Sequence, residues 1–166
     1  YSGFLKRIPY VELADIAAGF VLRAVAGAAA MDVRISPWLL WCAFSISMFL
    51  ALCKRRHEKA IACESRAALS NYHPVVLDTL IFTSALATLG VYLWYTLAAD
   101  TVARFGTRAL SATALFVALG IIRYLYLLFR KEDVGRPERI LLTDKITWLV
   151  LLGYGVSAVL AVWSGR

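Results

Sequence analysis

Apolar residues occupy five long blocks of this chain, Leu13–Met31, Pro37–Cys53, Val75–Ala99, Leu110–Phe129 and Ile146–Trp163, and the charged residues gather between them. Each block is close to the ~20 residues a helix needs to cross about 30 Å of hydrocarbon. The pattern predicts an all-α fold, a polytopic bundle of about five membrane helices forming a single transmembrane domain over 1–166. Ser36-Pro37 puts a capping serine before a proline at the first helical position, and His73-Pro74 opens the next block similarly. Between them, 54–73 reads as a polar loop whose helix-compatible run Glu58–Leu69 is expected to lie over a cavity mouth as a lid.

Five crossings alternate sides, which sorts the eighteen Lys and Arg residues. Twelve fall with the N-terminal end and the loops 54–73 and 130–145, four (Arg34, Arg104, Arg108 and Arg166) fall on the other side, and Arg23 and Arg123 lie within blocks. Basic residues accumulate on the cytoplasmic side, so the N-terminal end and basic loops are expected there, in a bacterial inner membrane. Aromatic residues agree in part: Trp38, Trp41, Trp94, Tyr95 and Trp163 lie near the outer ends, and Trp148 lies near an inner one. Much of the net charge of +7 is this bias, and the lack of basic arms interleaved with aromatics argues against a nucleic-acid partner. Cys42, Cys53 and Cys63 are scattered without a C-x-x-C pair, and His57 and His73 lack zinc spacing.

Arg23 stands alone in an Ala/Gly-rich apolar block, where a guanidinium costs several kcal/mol unless a partner or a wet cavity receives it. At ~100° per residue, Glu12, Asp15, Gly19, Arg23, Gly27 and Ala30 share a stripe about 120° wide, which is expected to face a polar cavity. The plainer alternative is a buried pair with Asp15 or Glu12 that only holds the bundle. A second cluster, Lys54, Arg55, Arg56, His57, Glu58 and Lys59, lies where the second block ends, at the level of Lys6, Arg7, Glu12 and Asp15. Cations so placed bind phosphate oxygens, and carboxylates hold Mg²⁺. The cluster's plainer readings are topology anchors and a Lys54–Glu58 pair one turn apart. Arg123 reads as a snorkelling side chain, Asp78 as a charge favoured at a helix N-terminus, and Asp144 as the cap of the last helix.

The chain begins at Tyr1 with a half-polar segment, which leads us to expect a fragment of a longer protein or a half-size subunit. Tyr1-Ser2, Leu5-Lys6, Pro9, the run from Ala18 to Gly27, Ser36-Pro37-Trp38 and Ala51-Leu52-Cys53-Lys54-Arg55 resemble the second half of UbiA-type intramembrane prenyltransferases. So do Arg123-Tyr124, Gly135-Arg136-Pro137-Glu138 and Asp144-Lys145. The resemblance covers essentially the whole chain and is closest to the decaprenyl-phosphate phosphoribosyltransferase branch. It implies the end of helix four and helices five to nine of a nine-helix bundle, and transfer of 5-phosphoribose from phosphoribosyl pyrophosphate to a polyprenyl phosphate with Mg²⁺. Under it, Lys54 and Arg55 would hold phosphate with Lys6 at the rim. Glu12 and Glu58 would serve metal or ribose hydroxyls, and Arg23 would orient a carboxylate or phosphate deeper in the cavity. The aspartate-rich motif Asn-Asp-x-x-Asp of the family's first half is absent from these residues, so this segment alone is expected to be inert. At the second motif only Glu58 is acidic. The alternatives are a non-catalytic UbiA-derived subunit of an oligomer or larger membrane complex, and, less well supported, a small transporter.

Overall fold

The computed structural model describes residues 9–32, 35–61, 73–130 and 144–164, with side chains at 13–32, 35–59, 73–130 and 144–164. Every regular element among them is helical: α1 (Pro9–Ala30), α2 (Pro37–Ile61), α3 (Pro74–Leu97), the short α4 (Ala99–Phe105), a 3₁₀ turn (Ala109–Ala112), α5 (Thr113–Phe129) and α6 (Lys145–Ser164). Five stretches are long and apolar enough to cross a membrane, in α1, α2, α3, the 3₁₀ turn with α5, and α6, and the chain is an integral membrane protein. Leu86, Leu149 and Val159 are more than half exposed on the outer faces, as expected of side chains meeting lipid.

The chain divides into two compact units, Tyr1–Thr88 and Leu89–Arg166, with the boundary inside α3. In the first, α1 packs along α2. Leu13 and Ala17 of α1, Phe49, Leu52 and Cys53 of α2, and Leu77, Ile81 and Ala85 of α3 are buried, each set recurring every three or four residues. Proline opens α1, α2 and α3 at the first helical position, where no backbone donor is lost. The Ser36 carbonyl accepts the first bonds of α2, from the amides of Leu39 (3.0 Å) and Leu40 (3.4 Å). The hydroxyl expected to cap this helix does not: Ser36 Oγ is buried and has no hydrogen-bond partner among the described residues. Asp32 ends the turn after α1 with φ of 52°, a left-handed conformation that short polar side chains tolerate. Ser45, Ser47, Thr79, Thr83 and Thr88 hydroxyls return to carbonyls one turn earlier, so they stay bonded without water.

In the second unit α5 packs against α6. The helices approach most closely at Gly153, where an added methyl would overlap the Phe116 ring. Tyr92, at the end of α3, bonds both helices: its hydroxyl lies 2.7 Å from Thr113 Oγ1 and donates to Tyr154 Oη at 3.2 Å. The chain breaks at Ala98, and Gly106, at φ of 69°, closes α4 by donating to the Val102 carbonyl.

The expected spans and observed helices agree to within a few residues except at two places. Helix α2 runs eight residues beyond Cys53, to Ile61, so the first part of the expected loop 54–73 is helical; its remainder lies largely outside the described residues. Lys, Arg, Glu and Ala are good helix formers, and hydropathy marks where lipid ends, which is not where the backbone must unwind. Helix α4 and the 3₁₀ turn were not anticipated, being too short to leave a periodic signal.

Candidate functional site

The charged end of α2 is built by continuing one helix out of its apolar stretch. Successive residues there point in different directions, so the basic cluster is divided among several environments. Cys53 and His57, four apart, face inward and are buried. Arg56 faces α3 and pairs with Asp78, Nε donating to Oδ1 at 2.5 Å and Nη2 to Oδ2 at 3.4 Å. Arg55 Nη1 donates to Glu58 Oε2 at 2.8 Å, one turn along the same helix. Glu58 therefore bonds Arg55, whereas spacing alone had offered Lys54, and Lys54 stands exposed.

Beside this cluster lies an apolar groove of about 600 Å³, lined by Leu13 of α1, Met48 and Leu52 of α2, and Val76, Leu80, Thr83, Ser84 and Ala87 of α3. Met48, Leu52, Arg55 and Lys59 follow one another at spacings of four, three and four, a single stripe of α2 that passes from the groove into the basic turns. Asp78, the partner of Arg56, sits in sequence between the groove residues Val76 and Leu80. The unit thus sets charged residues at the end of α2 close along the helix to a largely apolar groove.

Arg23 belongs to neither. Its guanidinium lies over the Phe20 ring at 5.3 Å, and both Arg23 and Asp15 are exposed. The alternative Arg23–Asp15 pair is not formed. The two residues are eight apart, about 12 Å along the helix. Glu12 lies within α1, but its side chain, like all of Lys6, is outside the described residues.

The second unit holds an ion pair that sequence reasoning missed. Arg123 of α5 grips Asp144 with two bonds, Nε to Oδ2 at 3.0 Å and Nη2 to Oδ1 at 2.8 Å. Asp144 also caps α6 as expected, accepting from Thr147 N at 3.1 Å and Thr147 Oγ1 at 2.6 Å. The guanidinium of Arg123 holds the Asp144 carboxyl well below its ordinary range, against the opposing effect of burial and with help from Thr147. Arg123 and Asp144 are 21 residues apart, and nothing in either local pattern announces the other.

The expected Mg²⁺ can be tested against these donors. Among the described residues no group of three or more His, Cys, Asp or Glu side chains could hold a metal ion, and Glu58 is already bonded by Arg55. Magnesium is commonly held by one or two carboxylates with water and substrate phosphates, a set that needs no such group of three.

Comparison with known proteins adds an independent observation. No protein-family model matches the chain. It is 29% identical over 166 residues to a decaprenyl-phosphate phosphoribosyltransferase of Corynebacterium glutamicum, covering 95% of this chain and 48% of that protein. It is 25% identical to the protein of the same name from Mycolicibacterium smegmatis, over 93% of this chain and 51% of that one. The Mycobacterium tuberculosis counterpart is 24% identical, over 95% and 54%. The chain spans about half the length of the curated relatives it matches.

Proposed function

We propose that this chain forms part of a membrane transferase that moves 5-phosphoribose from phosphoribosyl pyrophosphate to a polyprenyl phosphate at the cytoplasmic edge of a bacterial inner membrane. The observation that carries the reading is the Met48, Leu52, Arg55, Lys59 stripe, which joins an apolar slot to fixed cations. An amphiphile with an anionic head and a hydrocarbon tail fits that join, and the three similar proteins are named for such a substrate.

In the proposed reaction an oxygen of the lipid phosphate forms a bond to C1 of the ribose as the bond from C1 to pyrophosphate breaks. Negative charge grows on the departing pyrophosphate, and cations fixed at a water-poor edge stabilise that charge more than they would in water. Arg55, held by Glu58, is already oriented and would bind phosphate together with Lys54; Lys6 is assigned to the rim. Magnesium, when bound, would neutralise pyrophosphate, with Glu12 or Glu58 supplying at most a minority of its ligands and the others coming from outside these residues.

The test uses the complete protein in membranes. Lys54→Ala and Arg55→Gln are each expected to lower formation of lipid-linked phosphoribose at least tenfold, while expression and thermal unfolding stay as in the parent. Parental turnover in both variants would refute the site and favour a non-catalytic membrane subunit.

A further inference from the structure

Arg23 places a full charge at the centre of a membrane span. The apolar window of α1, Leu13–Ala30, is 18 residues long, and Arg23 is nearer its C-terminal end. Side chains on a helix lean toward its N-terminus, and Arg23 does so, its guanidinium over Phe20. Phe20 lies about 10 Å from Leu13 and about 15 Å from Ala30 along the axis, so the charge sits close to the midpoint. The observed conformation therefore leans away from the nearer end of the span, the opposite of snorkelling.

No acidic residue of this sequence stands at the middle of a span. All eleven acidic residues fall near the ends of the spans or between them: Glu12, Asp15 and Asp78 lie in the opening turns of α1 and α3, Glu58 is near the end of α2, Asp100 is in the short α4 outside the spans, and Asp32, Glu64, Glu132, Asp133, Glu138 and Asp144 fall in sequence between the spans. Within its own unit the face carrying Arg23 is open. Methyl groups built on Gly19 and Gly27, one turn to either side, meet nothing within 4 Å among the described residues, and only 11% of the span is buried. A second copy of the chain cannot cover this face symmetrically. Copies inserted with the same orientation are related by an axis normal to the membrane, which would set Arg23 against Arg23 at one depth.

We infer that the Asp15, Gly19, Arg23, Gly27 face of α1 is the docking surface for a transmembrane helix from outside these 166 residues, one that carries an Asp or Glu at mid-membrane to pair with Arg23. The glycines let that helix approach closely, which small residues do in membrane packing. The charge selects which helix fits, because an acid and a guanidinium that are each costly in hydrocarbon become tolerable as a hydrogen-bonded pair. The relatives have about as much length again as this chain matches, ample for such a helix. Arg23 is then a positioning residue, and the inference stands whether or not phosphoribose is transferred.

The experiment reads assembly in the complete membrane protein, purified in detergent, by thermal unfolding. Arg23→Glu is expected to lower the apparent Tm by at least 5 °C, and Arg23→Lys by less than half as much. Changing each intramembrane Asp or Glu outside this chain to Lys, in the Arg23→Glu background, should reveal one position that restores the parental Tm. Gly19→Leu and Gly27→Leu, at positions where an added Cβ meets nothing within 4 Å among the described residues, should also lower Tm if a helix covers them. The inference is overturned if no acid reversal restores Arg23→Glu, or if both leucine variants melt like the parent and lipid is thereby the covering phase. It is equally overturned if Arg23→Cys, in a cysteine-free background, reacts rapidly with a membrane-impermeant thiol reagent and so lines an aqueous chamber.

Discussion

Replacing Asp144 tests how the second unit is held at the N-terminal end of α6. Asp144→Ala removes both bonds from Arg123 and both from Thr147. Breaking a fully buried pair costs about 3–5 kcal/mol and an exposed one about 0.2–1. With 22% and 15% of the two side chains exposed, the Arg123–Asp144 pair falls between those limits, at about 2 kcal/mol. Losing the cap adds about 1 kcal/mol. Asparagine caps as well as aspartate but cannot form the ion pair, so Asp144→Asn isolates the larger part. At about 2–4 °C per kcal/mol for a chain of this size, alanine should lower the apparent Tm by about 6–12 °C and asparagine by about 4–8 °C. The sign of the pH dependence follows from the depressed carboxyl. Its contribution is complete above the ordinary aspartate value of 3.8 and is lost as pH falls below it toward the folded value. The gap between parent and Asp144→Asn should accordingly be constant from pH 8 to pH 5 and narrow below pH 4. An alanine variant melting within 1 °C of the parent at pH 7 would refute the clamp, and a gap that narrows between pH 8 and pH 5 would refute its electrostatic origin.

Two further predictions concern the same unit. Gly153→Ala should destabilise by about 1–3 kcal/mol, because its methyl overlaps Phe116, whereas Gly155→Ala, which meets nothing within 4 Å in this chain, should melt within about 1 °C of the parent; equal effects would refute the close approach of α5 and α6. Tyr92→Phe should cost about 1 kcal/mol through its bonds to Thr113 and Tyr154. Adding Tyr154→Phe should then cost little more, and full additivity in thermal unfolding would show the hydroxyls to be independent.

The five membrane-length helices were legible because lipid imposes a length and a hydropathy that no packing detail overrides. The proline starts were legible too, since the position tolerating a missing donor is a local matter. Asp144 as a cap was readable for the same reason. Its grip on Arg123 was not, because two helices must first pack before residues 21 positions apart can meet. Arg55 rather than Lys54 as the partner of Glu58 was equally out of reach: both are within one turn, and rotamers decide. The reading of Arg23 was half right in kind. Composition established that the charge needs a partner or a wet cavity, and the structure shows the guanidinium over Phe20 and the side chain exposed, an environment that helical periodicity alone cannot give.

Two interhelical ion pairs among the described residues share one construction. Arg56, within the last two turns of α2, reaches Asp78 in the opening turns of α3, 22 residues on. Arg123, within the last two turns of α5, reaches Asp144 at the head of α6, 21 residues on. In each case a cation lies near a helix C-terminus and an acid near a helix N-terminus, so each charge complements the dipole of its own helix before it meets its partner. Such a pair is stabilised twice, by the helix ends and by each other, and it closes the helical hairpin across its connecting segment. The same logic separates these arginines from Arg55 and Arg23. Arg55 is satisfied on its own helix and remains at the groove edge, where phosphate would compete for it, and Arg23, far from either end of α1, gains nothing from the dipole. An acid on another helix would do for Arg23 what Asp78 and Asp144 do for Arg56 and Arg123.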